Sequence, residues 1–227
     1  MKSFIGYIDL NSRNYKITQI TNLLDNSFDI FNSAIFETEN SIRKKIKSSE
    51  KLSSVLKTNI SNYTKQNRRE PTEDEYKILE EILKYSNSIN YLTEHLLAIT
   101  EMKIAYLYKC LEIKILSLIK TAYPNKQLGK NFDWKKLILF FDKKNIYLTK
   151  LTGYKEVNDL RILNNCIKHS CAFNKLSGVP EFAESSNFSE QSLNLFHNRT
   201  KNTITTFFND LAILIIDDLN SKSGTVD

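Results

Sequence analysis

Glycine, proline and cysteine are scarce in this chain of 227 residues, which contains 5 glycines, 3 prolines and 3 cysteines. Glycine and proline both disfavour helix interiors, so their scarcity favours long helices. The cysteines are odd in number and lack a C-x-x-C spacing; they are Cys110, Cys166 and Cys171. This pattern argues against a structural zinc site and against a disulfide framework, and it is typical of a reducing compartment. We therefore expect a cytoplasmic protein.

Long hydrophobic runs are missing as well. The N-terminal segment has only a short apolar stretch, which Asp9 interrupts, so it does not resemble a signal peptide. The most apolar segment, LAILII at residues 211–216, is far shorter than the roughly 18 residues that a membrane span requires. The sequence therefore predicts no membrane partner. Hydrophobic residues make up 41% of the chain and charged residues 26%, which is ordinary for a globular protein.

Apolar residues recur every three or four positions over most of the chain, whereas no useful stretch alternates with the period of a strand. This spacing predicts amphipathic helices. We expect an all-α protein: an N-terminal helical extension at 1–70, an antiparallel helical bundle at 71–220 and a flexible tail at 221–227. The polar segment between the first two helices could continue as helix or form a linker. The bundle is predicted to start with one long helix, or with two helices in series hinged at 86–90, from Pro71 to before Pro124. A short helix capped by Asp133 follows, then a helix at 154–171 and a last helix from Ser189 to about Asn220.

Positive charge is concentrated in one part of the chain. The net charge is +6 overall, but residues 131–175 hold eight lysines and one arginine against four acids, a net charge of +5. Residues 181–227 hold three basic residues against seven acids, a net charge of −4. A basic zone attracts phosphate, as in RNA, DNA or a nucleotide. The alternative is a solvated, lysine-rich surface without a ligand.

The segment NDLRILNNCIKHS, residues 158–170, lies within this basic zone. At about 100° per residue, one face of the helix is apolar and faces the predicted core; it comprises Leu160, Leu163, Ile167 and Cys171. A separate face carries a group that we name the donor strip, namely Asn158, Arg161, Asn165, Lys168 and His169. Asn164 lies between the two faces. Because no acid falls within the donor strip, we expect it to bind a negatively charged group.

The donor strip contains the groups that metal-independent RNA cleavage needs. Histidine can exchange protons near neutral pH, while arginine and asparagine can hold a phosphate and stabilise the charge that develops on it. We therefore predict His169, Asn165 and Arg161 as catalytic residues, without a metal or cofactor. Asn158, Asn164, Lys168 and Lys155 are predicted to bind RNA phosphates. The alternative is that Asn165 and His169 only form hydrogen bonds with a neighbouring helix.

The stretch LRILNNCIKHS, in the penultimate helix of an all-α chain, resembles the signature of HEPN domains, and the resemblance covers roughly residues 75–220. The usual HEPN pattern is an arginine, often followed by asparagine, and then a histidine a few residues later. Asn165 and His169 match the asparagine and the histidine of this pattern. The usual arginine position falls on Asn164, and Arg161 lies three residues before Asn164. A branch of HEPN-like proteins reads LR-x-L-x-N-x-x-KH, which matches Leu160 to His169.

The resemblance implies a metal-independent endoribonuclease that cleaves RNA by attack of the ribose 2′-hydroxyl, in a bacterial toxin, abortive-infection or antiviral defence system. An antitoxin or another defence protein is an implied partner. The alternative is a catalytically inactive HEPN-like module that binds RNA, a nucleotide or a protein.

One helix cannot supply the whole reaction by itself. Arg161 and His169 are about 12 Å apart along the helix axis, and helical side chains lean toward the N-terminus, so Arg161 leans away from His169. Cleavage also prefers two proton-transferring groups, and the donor strip has one imidazole. We therefore expect a homodimer in which two copies of the strip meet. His197 is a candidate for a supporting position behind the site, and His95 is expected in the core or in an interface.

Overall fold

The computed structural model describes the backbone of residues 2–67, 72–125, 133–169 and 173–223. Within these ranges the chain forms helices, turns and short connections without a β-strand, which confirms the all-α prediction. The five α-helices are α1 (Lys2–Asn67), α2 (Glu73–Ala122), α3 (Trp134–Asp142), α4 (Tyr154–His169) and α5 (Glu190–Ser223). Short 3-10 turns lie at Leu148–Lys150, Phe173–Leu176 and Pro180–Phe182. In the described part of the chain, no helix combines the length and apolar character that crossing a membrane requires.

Helix starts are fixed by side chains that bind the first free backbone N–H groups. Asp133 accepts hydrogen bonds from the backbone nitrogens of Lys135 and Lys136 at 2.9 and 3.2 Å, which confirms it as the cap of α3. At α2, the backbone nitrogen of Thr72 donates to Glu75 at 2.6 Å, and the nitrogen of Glu75 donates back to the Thr72 hydroxyl at 3.4 Å. This reciprocal pair is a capping box. Pro71, which was predicted to open this helix, lies outside the described residues.

The long helices run further than the sequence spacing required. The polar segment after residue 46 continues as helix to Asn67, so it does not form a linker within α1. The candidate hinge at 86–90 is also helical, and α2 is one continuous helix. Residues 221–223 of the predicted tail belong to α5, while residues 224–227 lie outside the described part. Lysine, serine and asparagine are tolerated on exposed helix faces, so polarity alone did not end these helices.

The chain divides into two compact units, and both long helices pass from one unit to the other. The first unit contains residues 1–31 and 101–227, and the second contains residues 32–100. The predicted boundary at residues 70 and 71 falls inside the second unit, within a connection, 68–71, that lies outside the described residues. The donor strip belongs to the first unit.

The core of the first unit is built from the apolar faces of α2, α3, α4 and α5. Leu160 and Leu163 of α4 are fully buried, as predicted, and Ile167 is half-buried. Cys171, the fourth residue of the predicted core face, lies outside the described residues. Cys110 is a buried free thiol, whereas Cys166 is disulfide-bonded, which the cysteine spacing did not predict. Other core residues of this unit are Leu107, Leu111, Ile115, Leu137, Phe141, Phe196, Phe207, Phe208 and Leu211.

The start of α4 is held close to α5 by Gly153. This glycine has a φ of 81°, and an added Cβ would lie 2.6 Å from the backbone oxygen of Thr203, so only glycine fits without strain. Six residues further along α4, Asp159 lies 3.7 Å from Arg199, which precedes Thr203 in α5. Because α5 runs backward as α4 advances, the two helices are antiparallel. The same packing leaves the opposite side of α4 available for the donor strip.

Candidate functional site

The donor strip is at least partly open to solvent along its whole length. Asn165, Lys168 and His169 are exposed, and Asn158 and Arg161 are half-buried. These side chains lie on the side of α4 away from the fully buried Leu160 and Leu163. The exposed C-terminal half of the strip therefore presents an amide, an ammonium group and an imidazole together.

Arg161 is oriented by its neighbour one turn earlier. Its Nε and Nη2 both donate to Oδ1 of Asn158, at 3.3 and 3.0 Å. The guanidinium thus points toward the N-terminus of α4, as the direction of helical side chains predicts, and away from His169. Asn165 is closer than Arg161 to His169 along the helix, so these two residues form the more compact pair.

Helix α2 approaches α4 near Arg161. Burial raises the pKa of Tyr108 to about 12, and the neighbouring Glu112 adds to this shift, whereas the positive charge of Arg161 opposes it. The phenol therefore stays protonated at neutral pH and can donate a hydrogen bond. Glu112 is bound by Lys109 at 3.2 Å, which compensates part of its negative charge. Sequence reasoning did not identify Tyr108, because only the packing of α2 brings it near Arg161.

The acidic residues of α4 are held on the other side of the helix by Arg199 of α5. Its guanidinium donates to both carboxylate oxygens of Glu181, at 2.6 and 2.9 Å, and lies 3.7 Å from both Glu156 and Asp159. Lys155 adds a contact of 2.7 Å to Asp159. The negative charge of α4 is therefore drawn into an ion-pair network beside α5 and away from the donor strip.

This network shifts the pKa values of its members. Burial by itself would raise the pKa of Glu181, but the hydrogen bonds and charge of Arg199, a backbone hydrogen bond and the charge of Lys155 together outweigh it, so the pKa lies below its ordinary value. The same hydrogen bonds raise the pKa of Arg199. Both shifts favour the charged forms, so the pair stays ionised at neutral pH.

Two of the predicted phosphate-binding residues do not lie with the donor strip. Lys155 is engaged by Asp159 and by the backbone oxygen of Gly178 at 3.4 Å. Asn164 is fully buried, and within the described residues neither its Oδ1 nor its Nδ2 has a hydrogen-bond partner. Asn164 lies between the apolar face and the donor strip of α4, and the packed neighbours of the helix cover it, so it does not reach the surface. Neither side chain faces outward together with Asn165 and His169.

His197 lies in the interior, on α5. Burial lowers its pKa to about 4; Lys103 and Lys201 lower it further, and a hydrogen bond with Asn198 opposes the shift. At neutral pH its ring is therefore uncharged and cannot neutralise a phosphate. The groups that act on it belong to α2 and α5. His95, in contrast, is exposed in the second unit, where its ring lies 4.1 Å from that of Tyr91; a core position is therefore wrong, and the interface alternative stays a prediction.

An aromatic pair, Trp134 and Tyr154, lies at the N-terminal end of the α4 face that carries the donor strip. Tyr154 precedes Asn158 by four residues and Arg161 by seven, so it lies on the same side of α4. Its ring is stacked against that of Trp134 from α3, with centroids 6.4 Å apart and an interplanar angle of 28°. Sequence reasoning did not extend the strip to Tyr154. The spacing of 154, 158, 161 and 165 was the signal that could have identified it.

Comparison with protein-family models, with curated proteins and with solved structures finds no match to this chain. Among the residues that the structure describes, no cluster of three or more histidine, cysteine, aspartate or glutamate side chains could hold a metal ion.

Proposed function

We propose that this protein is a metal-independent endoribonuclease of the HEPN type, acting in a bacterial defence or toxin system. The observation that carries the proposal is the separation of charge around α4. The donor strip exposes Asn165, Lys168 and His169, while the acids of the same helix are held by Arg199 on the side facing α5. A polyanion can therefore approach this side of α4 without meeting a carboxylate of the helix.

The reaction assigned to the strip is transesterification within the RNA strand. The ribose 2′-oxygen forms a bond to the adjacent phosphorus, and the bond from phosphorus to the 5′-oxygen of the next nucleotide breaks. The imidazole of His169 accepts the proton of the 2′-hydroxyl, and a protonated group donates to the departing 5′-oxygen. Asn165 holds the phosphate oxygens and stabilises the added negative charge, while Arg161, which points away from His169, binds a phosphate one nucleotide along or reaches the site of the partner protomer.

The products give the sharpest test of this mechanism. Purified protein incubated with RNA in EDTA should leave 2′,3′-cyclic phosphate or 3′-phosphate ends and should not cut DNA, because DNA lacks the attacking hydroxyl. The ends can be identified by mass spectrometry of the fragments. The control is DNA of the same sequence in the same buffer. Fragments with 5′-phosphate ends, or cleavage only after addition of Mg²⁺, would contradict the proposal.

A homodimer completes the site in this proposal. One strip offers one imidazole, whereas the reaction uses a proton acceptor and a proton donor. A two-fold axis near α4 would place Asn165 and His169 of one protomer opposite those of its partner, so that a single RNA phosphate meets both. The two basic surfaces repel each other, and an RNA strand between them offsets this repulsion.

Light scattering at micromolar protein concentration should give a mass of about twice the 26.4 kDa of the chain. In the proposed dimer the two protomers share one RNA-binding site. RNA that cannot be cleaved should therefore raise the fraction of dimer when the protein is diluted. A DNA strand of equal length serves as a control for general binding of polyanions. A monomer that cleaves RNA at full rate would be the contrary result.

A catalytically inactive module that binds RNA, a nucleotide or a protein partner is the second candidate. The observation that favours it is the pairing of Arg161 with Asn158, which directs the guanidinium away from His169. In this alternative the strip binds phosphate without cleaving it. Salt-sensitive binding of RNA with no fragments at any protein concentration would support the inactive module.

A further inference from the structure

We infer that the stacked pair of Trp134 and Tyr154 is a base-binding platform, and that the substrate is therefore a single-stranded RNA segment lying along α4. This inference rests on the proposed function for the identity of the strand, but the platform itself can be tested by binding alone. Both residues are half-buried, and they stand at the N-terminal end of the same helix face that carries the donor strip.

The alignment follows from helix geometry. When Tyr154 is taken as the origin, all five residues of the donor strip fall within about 60° on either side of it, at about 100° per residue. Trp134 reaches this line from α3 by stacking on Tyr154. An aromatic platform and a row of phosphate-binding donors thus lie on one line along the helix, which is the arrangement used to bind a strand by its bases and its backbone together.

The charges beside the platform fit a phosphate backbone. Lys135 and Lys136 follow Trp134 in the first turn of α3, and both are exposed. Asp133 is the acid nearest to them in the chain, and its carboxylate is engaged with the N-terminus of α3 and lies 3.9 Å from the Lys136 ammonium. The flanking lysines can therefore hold a phosphate while a base stacks on the rings.

A duplex does not fit this arrangement. Stacking on a protein side chain requires an unpaired base that has left the helical stack, and aromatic side chains select single strands for this reason. Tyr154 and Asn165 are eleven residues apart, about 16 Å along α4. A strand must therefore span several nucleotides to contact the platform and Asn165 together, more than a dinucleotide can.

Trp134 is the only tryptophan of the chain, so its fluorescence reports on the platform directly. The experiment uses His169→Ala protein, which prevents cleavage under the proposed function. The probes are an oligouridylate of about ten nucleotides, the same strand annealed to oligoadenylate, and a uridine dinucleotide. We expect the single strand to quench the fluorescence, and the duplex and the dinucleotide to leave it nearly unchanged at the same concentration.

Two variants then test the contact, each in the same His169→Ala background. Tyr154→Leu should weaken the Kd for the oligouridylate about tenfold, the loss expected for one stacked base. Tyr91→Leu is the matched control, since Tyr91 is an exposed tyrosine of the second unit, and it should leave the Kd unchanged. If Tyr154→Leu fails to fold, as judged by circular dichroism, the double variant Lys135→Gln and Lys136→Gln replaces it. This double variant should reduce the slope of log Kd against log salt by about 1.4.

The possible outcomes separate the platform from the cleavage reaction. Quenching by single-stranded RNA without cleavage by the native protein would support the platform and contradict the ribonuclease. RNA cleavage with no quenching and no effect of the platform variants would support the ribonuclease and overturn the platform. Equal quenching by the duplex would overturn the single-stranded substrate.

Discussion

Replacing His169 with alanine should lower the rate of RNA cleavage by about 10²- to 10⁴-fold, the range that one proton-transferring side chain contributes. The free energy of unfolding should change by less than about 0.5 kcal/mol, because the side chain is exposed and the described contacts of α4 do not depend on it. Cleavage is measured on a labelled RNA strand in EDTA, and stability by urea unfolding followed by circular dichroism.

His95→Ala is the matched control for this variant, since His95 is also exposed but lies in the second unit. It should retain the native rate. Full activity of His169→Ala would reject the assigned role. A large loss of stability in the same variant would indicate that the imidazole is a structural group.

Replacing Arg199 with methionine should destabilise the first unit by about 3 kcal/mol at pH 7, the cost of leaving the carboxylate of Glu181 without its bonded cation and that of Asp159 with Lys155 alone. Glu181 and Asp159 have side chains exposed by only 10% and 8%, so water can replace the guanidinium only in part. Lys201→Met, two residues away, is the control. Lys201 pairs with Asp29, which is 65% exposed, so its removal should cost less than about 1 kcal/mol.

The difference between the native protein and Arg199→Met should depend on pH. The pKa of Glu181 lies below its ordinary value in the native protein, so its ion pair contributes stability above that ordinary value. This contribution is lost as the pH falls through the lowered pKa. In the variant the hydrogen bonds and charge of Arg199 no longer lower this pKa, so acid costs the variant less stability than it costs the native protein. The two free energies of unfolding should therefore converge as the pH falls below the ordinary pKa of a glutamate, and a constant difference would contradict the assigned ion pair.

Much of the local structure was predicted from the sequence alone. The 3–4 spacing of apolar residues identified the helices, and Asp133 identified the start of α3, because amphipathic periodicity and helix caps involve residues close together in the chain. The same periodicity placed Leu160 and Leu163 in the core and Asn165 and His169 at the surface. The orientation of Arg161 toward Asn158 followed from the fixed direction of helical side chains.

Only the tertiary structure decided how the surroundings of α4 are arranged. The capture of Glu156 and Asp159 by Arg199 joins residues 40 or more positions apart, and periodicity carries no information on which charged partners meet across two helices. The burial of Asn164 and His197 depends on packed neighbours that cover positions which a single-helix wheel leaves open. The stacking of Trp134 on Tyr154 also depends on the path that the chain takes between α3 and α4. The sequence determined which residues share one face of α4, and packing determined which of them remain open to a ligand, because burial is a property of the neighbours and not of the residue itself.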